Sequence, residues 1–277
     1  MRFDKRGQLT IIVIVAIVMV VGIGGFFVVN SAMKEEASKA FYENEAVSRE
    51  VGSVREVVEG CVKDLTLESI YLIGDQGGYY LEAEKSSLIN NLSVPYYYYE
   101  GELFLPSLEG IEMQGARFIL DNLEECIVAG SSVSFDVEVS GLVDMSIVSS
   151  KISYDFLGEV VLTSSEGYSM KIELEDYSTS YDVSLYEMYE VASYLTEGHN
   201  EDSELYCASC LVEMLESRDL FLDYIDTNEN ELSVVITDKT TDFGDYYFVY
   251  LNKYTGEEVS PMYDSDYDLM PVMDPSA

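Results

Sequence analysis

The apolar positions of this chain fall into three regimes. From Leu9 to Val29 they are continuous: 21 residues pass without a charge. At 1.5 Å per residue that is about 31 Å of helix, the thickness of one hydrocarbon core. Apolar side chains occupy every face of such a helix, so it has no solvent side. The run is longer than the roughly 7–15 residues of a secretory h-region, and Asn30-Ser31-Ala32 after it makes a poor cleavage site. The second regime runs from about Ser31 to Ile73, where Val47, Val51, Val54, Val58, Cys61 and Leu65 recur every three or four positions with Glu and Lys opposite. This is one stripe of a long amphipathic helix. The stripe covers under three heptads, so the helix is expected to pack on its own domain rather than in an intermolecular coiled coil. Gly74 and Gly77-Gly78 are expected to stop it.

In the third regime the segments shorten. Tyr79–Leu81 reads as a strand-like piece, followed by the polar stretch Glu82–Ser93. Gly101 lies between Tyr96–Tyr99 and Leu103–Leu105, which predicts a hairpin. Pro106 starts a helix with Leu108, Ile111, Ile119 and Cys126 on its apolar side. Beyond Gly130 the period becomes two. Val133, Phe135, Val137 and Val139 alternate with polar residues, and Ile152-Tyr154-Phe156 and Met170-Ile172-Leu174 do the same, which predicts an antiparallel meander. Leu185, Met188, Ala192 and Leu195 mark one further helix, and Ala208, Leu211 and Leu215 another. Leu232–Thr237 and Tyr246–Leu251 form a closing pair of strands. The pattern predicts an α+β protein: a transmembrane helix continuing into a helical stalk, then an extracellular domain of antiparallel strands and helices. The expected parts are a basic cytoplasmic N-terminus 1–8, a transmembrane helix 9–29, a stalk 30–73, a domain 74–259 and an acidic tail 260–277.

Charge fixes the orientation and removes some partners. Arg2, Lys5 and Arg6 precede the apolar run while Glu35 and Glu36 follow it, which places the N-terminus in the cytoplasm and the remainder outside. The formal net charge is −37, from 52 Asp and Glu against 15 Lys and Arg. A surface of that sign repels nucleic acid and anionic lipid headgroups, so neither is expected as a partner. The lipid bilayer, met through residues 9–29, is expected, together with other envelope proteins or copies of the chain itself.

Lys5-Arg6-Gly7-Gln8, set just before the apolar run, resembles the class III signal of archaeal pilins and archaellins. That resemblance implies a cut between Gly7 and Gln8, leaving Gln8 as the first mature residue. Many type IV pilins carry a Glu at the fifth mature position; here that position is Ile12, and no acid occurs in the span. A permanent anchor is therefore the first expectation and a pilin-like filament subunit the alternative.

Four cysteines are the main chemical candidates. An exterior location permits disulfides. Cys61 and Cys126 each fall on the apolar stripe of a predicted helix, where a bridge would staple the stalk to the domain. Cys207 and Cys210, in the stretch CASC, share one face of a helix and can close a short ring. Structural bridges come first here and free thiols second. Redox or zinc chemistry comes last, for want of a thioredoxin-like βαβ setting or a second CxxC.

His199 is the sole histidine, it sits in a loop, and no G-x-S-x-G, Walker or dinucleotide motif accompanies it. No catalytic, cofactor or metal residue is therefore assigned; a surface hydrolase or thiol oxidoreductase is the enzymatic alternative. Asp226, Asn228 and Asn230, and Asp264, Asp266 and Asp268, have oxygen ligands at alternate positions, but lack the glycine and terminal glutamate of an EF-hand loop and read as a turn and a solvated tail. Tyrosine is abundant, at 23 residues, and tryptophan absent. In a strand, Tyr96, Tyr97, Tyr98 and Tyr99 alternate faces, so two rings are expected to pack inward and two to point out as a candidate recognition patch. Asn91-Leu92-Ser93 is a glycosylation sequon suited to an exterior domain.

The blocks CVKD, LIGDQGGYY, VPYYYYEG, PSLEGIEMQ, NLEECI and VVITDKTTDFGDYYFVYLNKY, in this order, resemble a family of archaeal, DPANN-type membrane-anchored proteins. The resemblance covers most of the chain and is weakest around 131–180. It implies topology and origin; the family has no established activity to carry over.

Overall fold

The computed structural model describes residues 45–131, 135–164, 169–198, 207–228 and 230–255. The expected transmembrane helix 9–29, the pair Gly7 and Gln8, His199 and the tail 260–277 lie outside these residues. Among the described residues no helix is long and apolar enough to cross a membrane.

Helix α1 spans Glu45–Asp75. Its stripe is buried from Val54 through Val58, Cys61, Val62 and Leu65 to Ile70 and Ile73, so the last five turns of the predicted stalk form a wall of the core. Gly74 does not end the helix as expected. A Cβ there would lie 2.3 Å from the Tyr247 carbonyl oxygen, so this glycine lets the helix rest on a strand backbone. The stop comes at Gly77 and Gly78, both at positive φ, where the Gly78 N–H donates to the Ile73 carbonyl at 2.7 Å. Tyr79–Leu81 is not a strand. It is an irregular crossing pinned by the Gln114 side chain, whose Oε1 accepts from the Tyr80 and Leu81 N–H groups at 3.2 and 2.9 Å.

Strands β1 (Ser86–Ile89) and β2 (Leu92–Tyr99) form a hairpin closed by Asn90 and Asn91, both at positive φ, a two-residue turn matched to strand twist. Strand β3 (Glu102–Leu103) pairs back on β2 across Glu100-Gly101. Helix α2 (Leu108–Gly130) is capped by Ser107, whose Oγ accepts from the Gly110 N–H at 3.1 Å. Its buried face holds Ile111, Ile119, Leu123 and Ile127.

Next come β4 (Phe135–Val148), β5 (Lys151–Ser164), β6 (Ser169–Glu173) and β7 (Thr179–Tyr181), then helices α3 (Leu185–Glu197) and α4 (Ala208–Glu216). The described residues end with β8 (Leu220–Asn228), β9 (Glu231–Asp238) and β10 (Tyr246–Lys253). One sheet has the order β1-β2-β10-β9-β8, antiparallel except where β2 and β10 run parallel. The other has β4 at one edge and β5 inside, with β6 and β7 each pairing part of β5's second side. The protein is thus α+β with one mixed and one antiparallel sheet, and a single main core takes side chains from α1–α4 and both sheets.

Tyrosine hydroxyls fasten this core to main-chain oxygens. Tyr97 donates to the Gly77 carbonyl (2.9 Å), Tyr246 to Ile70 (3.2 Å), Tyr71 to Phe243 (2.9 Å) and Tyr189 to Pro106 (3.0 Å). Burial pushes the Tyr97 and Tyr246 hydroxyls well above their ordinary range, so they stay protonated donors. The choice of tyrosine over phenylalanine follows from this: each ring fills apolar volume while its tip donates to a main-chain carbonyl, in a loop at Gly77, Pro106 and Phe243 and within the last turns of α1 at Ile70. Asp238 closes the other end of the core. Burial pushes its carboxyl up, but hydrogen bonds from Thr240 and Ser184 outweigh that and hold it below its ordinary value.

Candidate functional site: the groove between α2 and β4

Residues of α2 at three- and four-residue spacing line a groove of about 440 Å³. They are Glu109, Glu112, Met113, Arg117 and Asp121, with Ala116 and Leu120 deeper. The opposite wall is β4 alone, through Val143, Asp144 and Met145. Helix and strand are brought this close by Gly115, where a Cβ would lie 2.3 Å from the Met145 sulfur. The Ser69 hydroxyl donates to the Gly115 carbonyl at 3.1 Å from the α1 side, locking the crossing.

Among the described residues strand β4 pairs only with β5, so its outer edge faces the groove. Glu112 Oε1 accepts one edge group, the Ile147 N–H, at 2.8 Å. Groups pointing away from the partner strand alternate along an antiparallel ladder. The same parity therefore turns the main-chain groups of Met145 and Val143 toward the groove. Four carboxylates (Glu109, Glu112, Asp121 and Asp144) surround it against one guanidinium, Arg117, which pairs with Asp121 at 3.4 Å. Met113 stands 64 % exposed at the rim. The arrangement offers hydrogen bonds to a chain lying along β4, an apolar floor, and a negative wall.

The residues singled out in the sequence lie elsewhere. Cys61 and Cys126 form a disulfide joining α1 to α2. Cys207 and Cys210 form a second, at the start of α4. The recognition patch expected at Tyr96–Tyr99 is corrected by burial: Tyr96, Tyr97 and Tyr98 are 7 %, 0 % and 6 % exposed. Tyr97 stacks on Tyr250 in the main core (4.3 Å between ring centres), Tyr96 packs with Val94 and Leu251, and Tyr98 packs with Leu232 and Tyr254. Tyr99 is half-buried, with the Lys85 and Lys253 ammonium groups 4.9 and 4.7 Å from its ring centre. At β2 the sheet's second face is thus covered by its own side chains, whereas further across it Phe221, Ile225 and Tyr247 are exposed.

Asn91 is exposed at the β1–β2 hairpin tip. Asn230 occupies the β8–β9 turn at positive φ, and Asp226 and Asn228 fall within β8. Asp264, Asp266 and Asp268 lie outside the described residues. Among the described residues no three His, Cys, Asp or Glu side chains are placed to share a metal ion. The sequence carried part of a signal for the groove: β4 holds acids and no Lys or Arg, and one of those acids, Asp144, lines it.

No protein-family model, curated protein or solved structure matches this chain.

Proposed function

We propose that the chain is a single-pass cell-envelope protein, held by Leu9–Val29 in the bilayer with its N-terminus cytoplasmic. Its acidic domain lies outside and binds, in surface adhesion or assembly, an extended basic segment of another envelope protein along β4. The observation that carries this reading is the open β4 edge set inside an acid-lined groove. Pairing of a strand to such an edge is a general mode of peptide capture. Charge complementarity selects a lysine- or arginine-bearing strand, and a second copy fits poorly, because its β4 would bring Asp136, Glu138 and Asp144 against the same acids. Two disulfides, with no free cysteine among the described residues, support an oxidising exterior. So does the resemblance to archaeal membrane-anchored proteins.

The test is binding of the peptide KVKVKVK to the full chain in lipid nanodiscs, with EVEVEVE as control. Saturable binding of the lysine peptide is expected, weakened about tenfold by Glu109→Lys with Asp144→Lys. Glu124→Lys with Glu125→Lys, on α2 outside the groove, should change it little. Equal loss from both double variants would show an unspecific acid surface and overturn the groove reading.

A second reading, a pilin-like filament subunit, is favoured by the placement of Lys5-Arg6-Gly7-Gln8 immediately ahead of the apolar run. Mass spectrometry of the mature N-terminus of native material separates the two. Met1 is expected for the anchor, and a chain starting at Gln8 would establish processing instead.

A further inference from the structure

We propose that the Cys207–Cys210 disulfide is a redox site that accepts two electrons from a dithiol. The two bridges of this domain differ in what they can do for the fold. Cys61–Cys126 closes a separation of 65 residues with Cys61 buried, whereas Cys207–Cys210 closes one of 3. A closed loop that short constrains the unfolded chain far less, so stabilisation is a weak reason for the second bridge. Its surroundings suit exchange. Cys210, Ala208 and Ser209 are exposed, and Cys207 is half-buried.

Cys207 is also the N-cap residue of α4, and its sulfur accepts the Cys210 N–H at 3.2 Å, with the Ser209 hydroxyl at 3.4 Å. Unpaired N–H groups at a helix start favour a negative sulfur at that position. The accessible sulfur and the better leaving sulfur are therefore different atoms, which is the arrangement exchange requires. The scaffold does not depend on the bridge. The Tyr194 hydroxyl holds the Cys207 carbonyl at 3.2 Å, and Arg218 beyond the end of α4 bonds Glu190 of α3 at 2.7 Å.

The reaction balances without a further reagent. A substrate thiolate attacks Cys210 Sγ; the Cys207–Cys210 bond breaks, and its electron pair leaves on Cys207 Sγ, which takes a proton from water. The substrate's second thiol gives its proton to water and attacks the substrate sulfur of the mixed disulfide. Cys210 then departs as a thiolate and is protonated. The dithiol is oxidised by two electrons to a disulfide, and Cys207–Cys210 is reduced by two. Opposing the step are the carboxylates of Glu213 and Glu216 on the same helix, which disfavour a thiolate.

The experiment weighs these two influences. The oxidised full chain in nanodiscs is treated with dithiothreitol, quenched by alkylation over time, and mapped by mass spectrometry. Cys207–Cys210 is expected to be reduced about tenfold faster than the oxidised peptide YCASCL, which lacks the helix, while Cys61–Cys126 stays intact. Ser209→Ala is expected to slow it about twofold. A rate equal to or below that of the peptide, or loss of both bridges together, overturns the proposal. Because no groove residue takes part, this result is independent of the peptide-binding test.

Discussion

Replacing Cys61 and Cys126 together by alanine is expected to lower the unfolding free energy by about 3–4 kcal/mol. The two residues are 65 apart in sequence, and the bridge ties the helix that leads into the domain to the helix that lines the groove. Losing it restores the full freedom of that loop to the unfolded chain. It also removes two sulfurs from a packed interface, with Cys61 only 5 % exposed. For a domain of this size the change corresponds to about 10 °C in melting temperature. Calorimetry of the variant beside the parent measures it. A shift below about 2 °C would mean that α1 and α2 stay together in the unfolded ensemble without the bridge.

The second large effect is expected at the paired glycines of the β4–β5 hairpin. Gly141 and Gly158 face each other in register, at φ +133° and +155°. A Cβ on Gly158 would lie 2.1 Å from the Ser140 carbonyl oxygen and 2.7 Å from the Gly141 Cα. Those are backbone atoms and cannot swing aside, so Gly158→Ala must bend the ladder. The conformational strain alone is about 1–3 kcal/mol, and separating two paired strands adds to it. Gly244→Ala supplies the control, because Gly244 also has positive φ, +109°, but open space around its missing Cβ. Denaturant titration should show Gly158→Ala destabilised by about 2 kcal/mol more than Gly244→Ala. Equal losses would assign the whole cost to backbone conformation and none to close approach.

Local periodicity made much of this fold legible. The stripe Val54-Val58-Cys61-Leu65 marks the buried face of α1, and the alternation at Ile152-Tyr154-Phe156 and Met170-Ile172 marks the inner face of the small sheet. What escaped was set by distant partners. Strand β1 reads as polar because it is an edge strand, with Leu88 72 % exposed. Strand β8 interrupts its apolar residues with Asp223 and Asp226 rather than alternating, and its DTNEN end resembles loop chemistry; the first three residues of that stretch are strand because β9 offers a ladder to pair with. The Tyr96–Tyr99 run alternates as expected, but both faces of β2 are covered, which no local pattern announces. The groove was the least legible element. It exists because Gly115 lets α2 approach Met145, a meeting of residues 30 apart that neither periodicity records.

The parallel contact between β2 and β10 has a further consequence. Tyr96 pairs with Leu251, and β10, the last strand among the described residues, lies in the middle of its sheet between β2 and β9. A ribosome adding about 5–20 residues per second needs roughly 7–30 s to travel from the second strand to the tenth. Throughout that interval the tyrosines of the early strand await their neighbour. The nascent polypeptide therefore carries a half-built layer with exposed tyrosines until that strand is made. Any premature stop before residue 253 removes the keystone rather than a dispensable end.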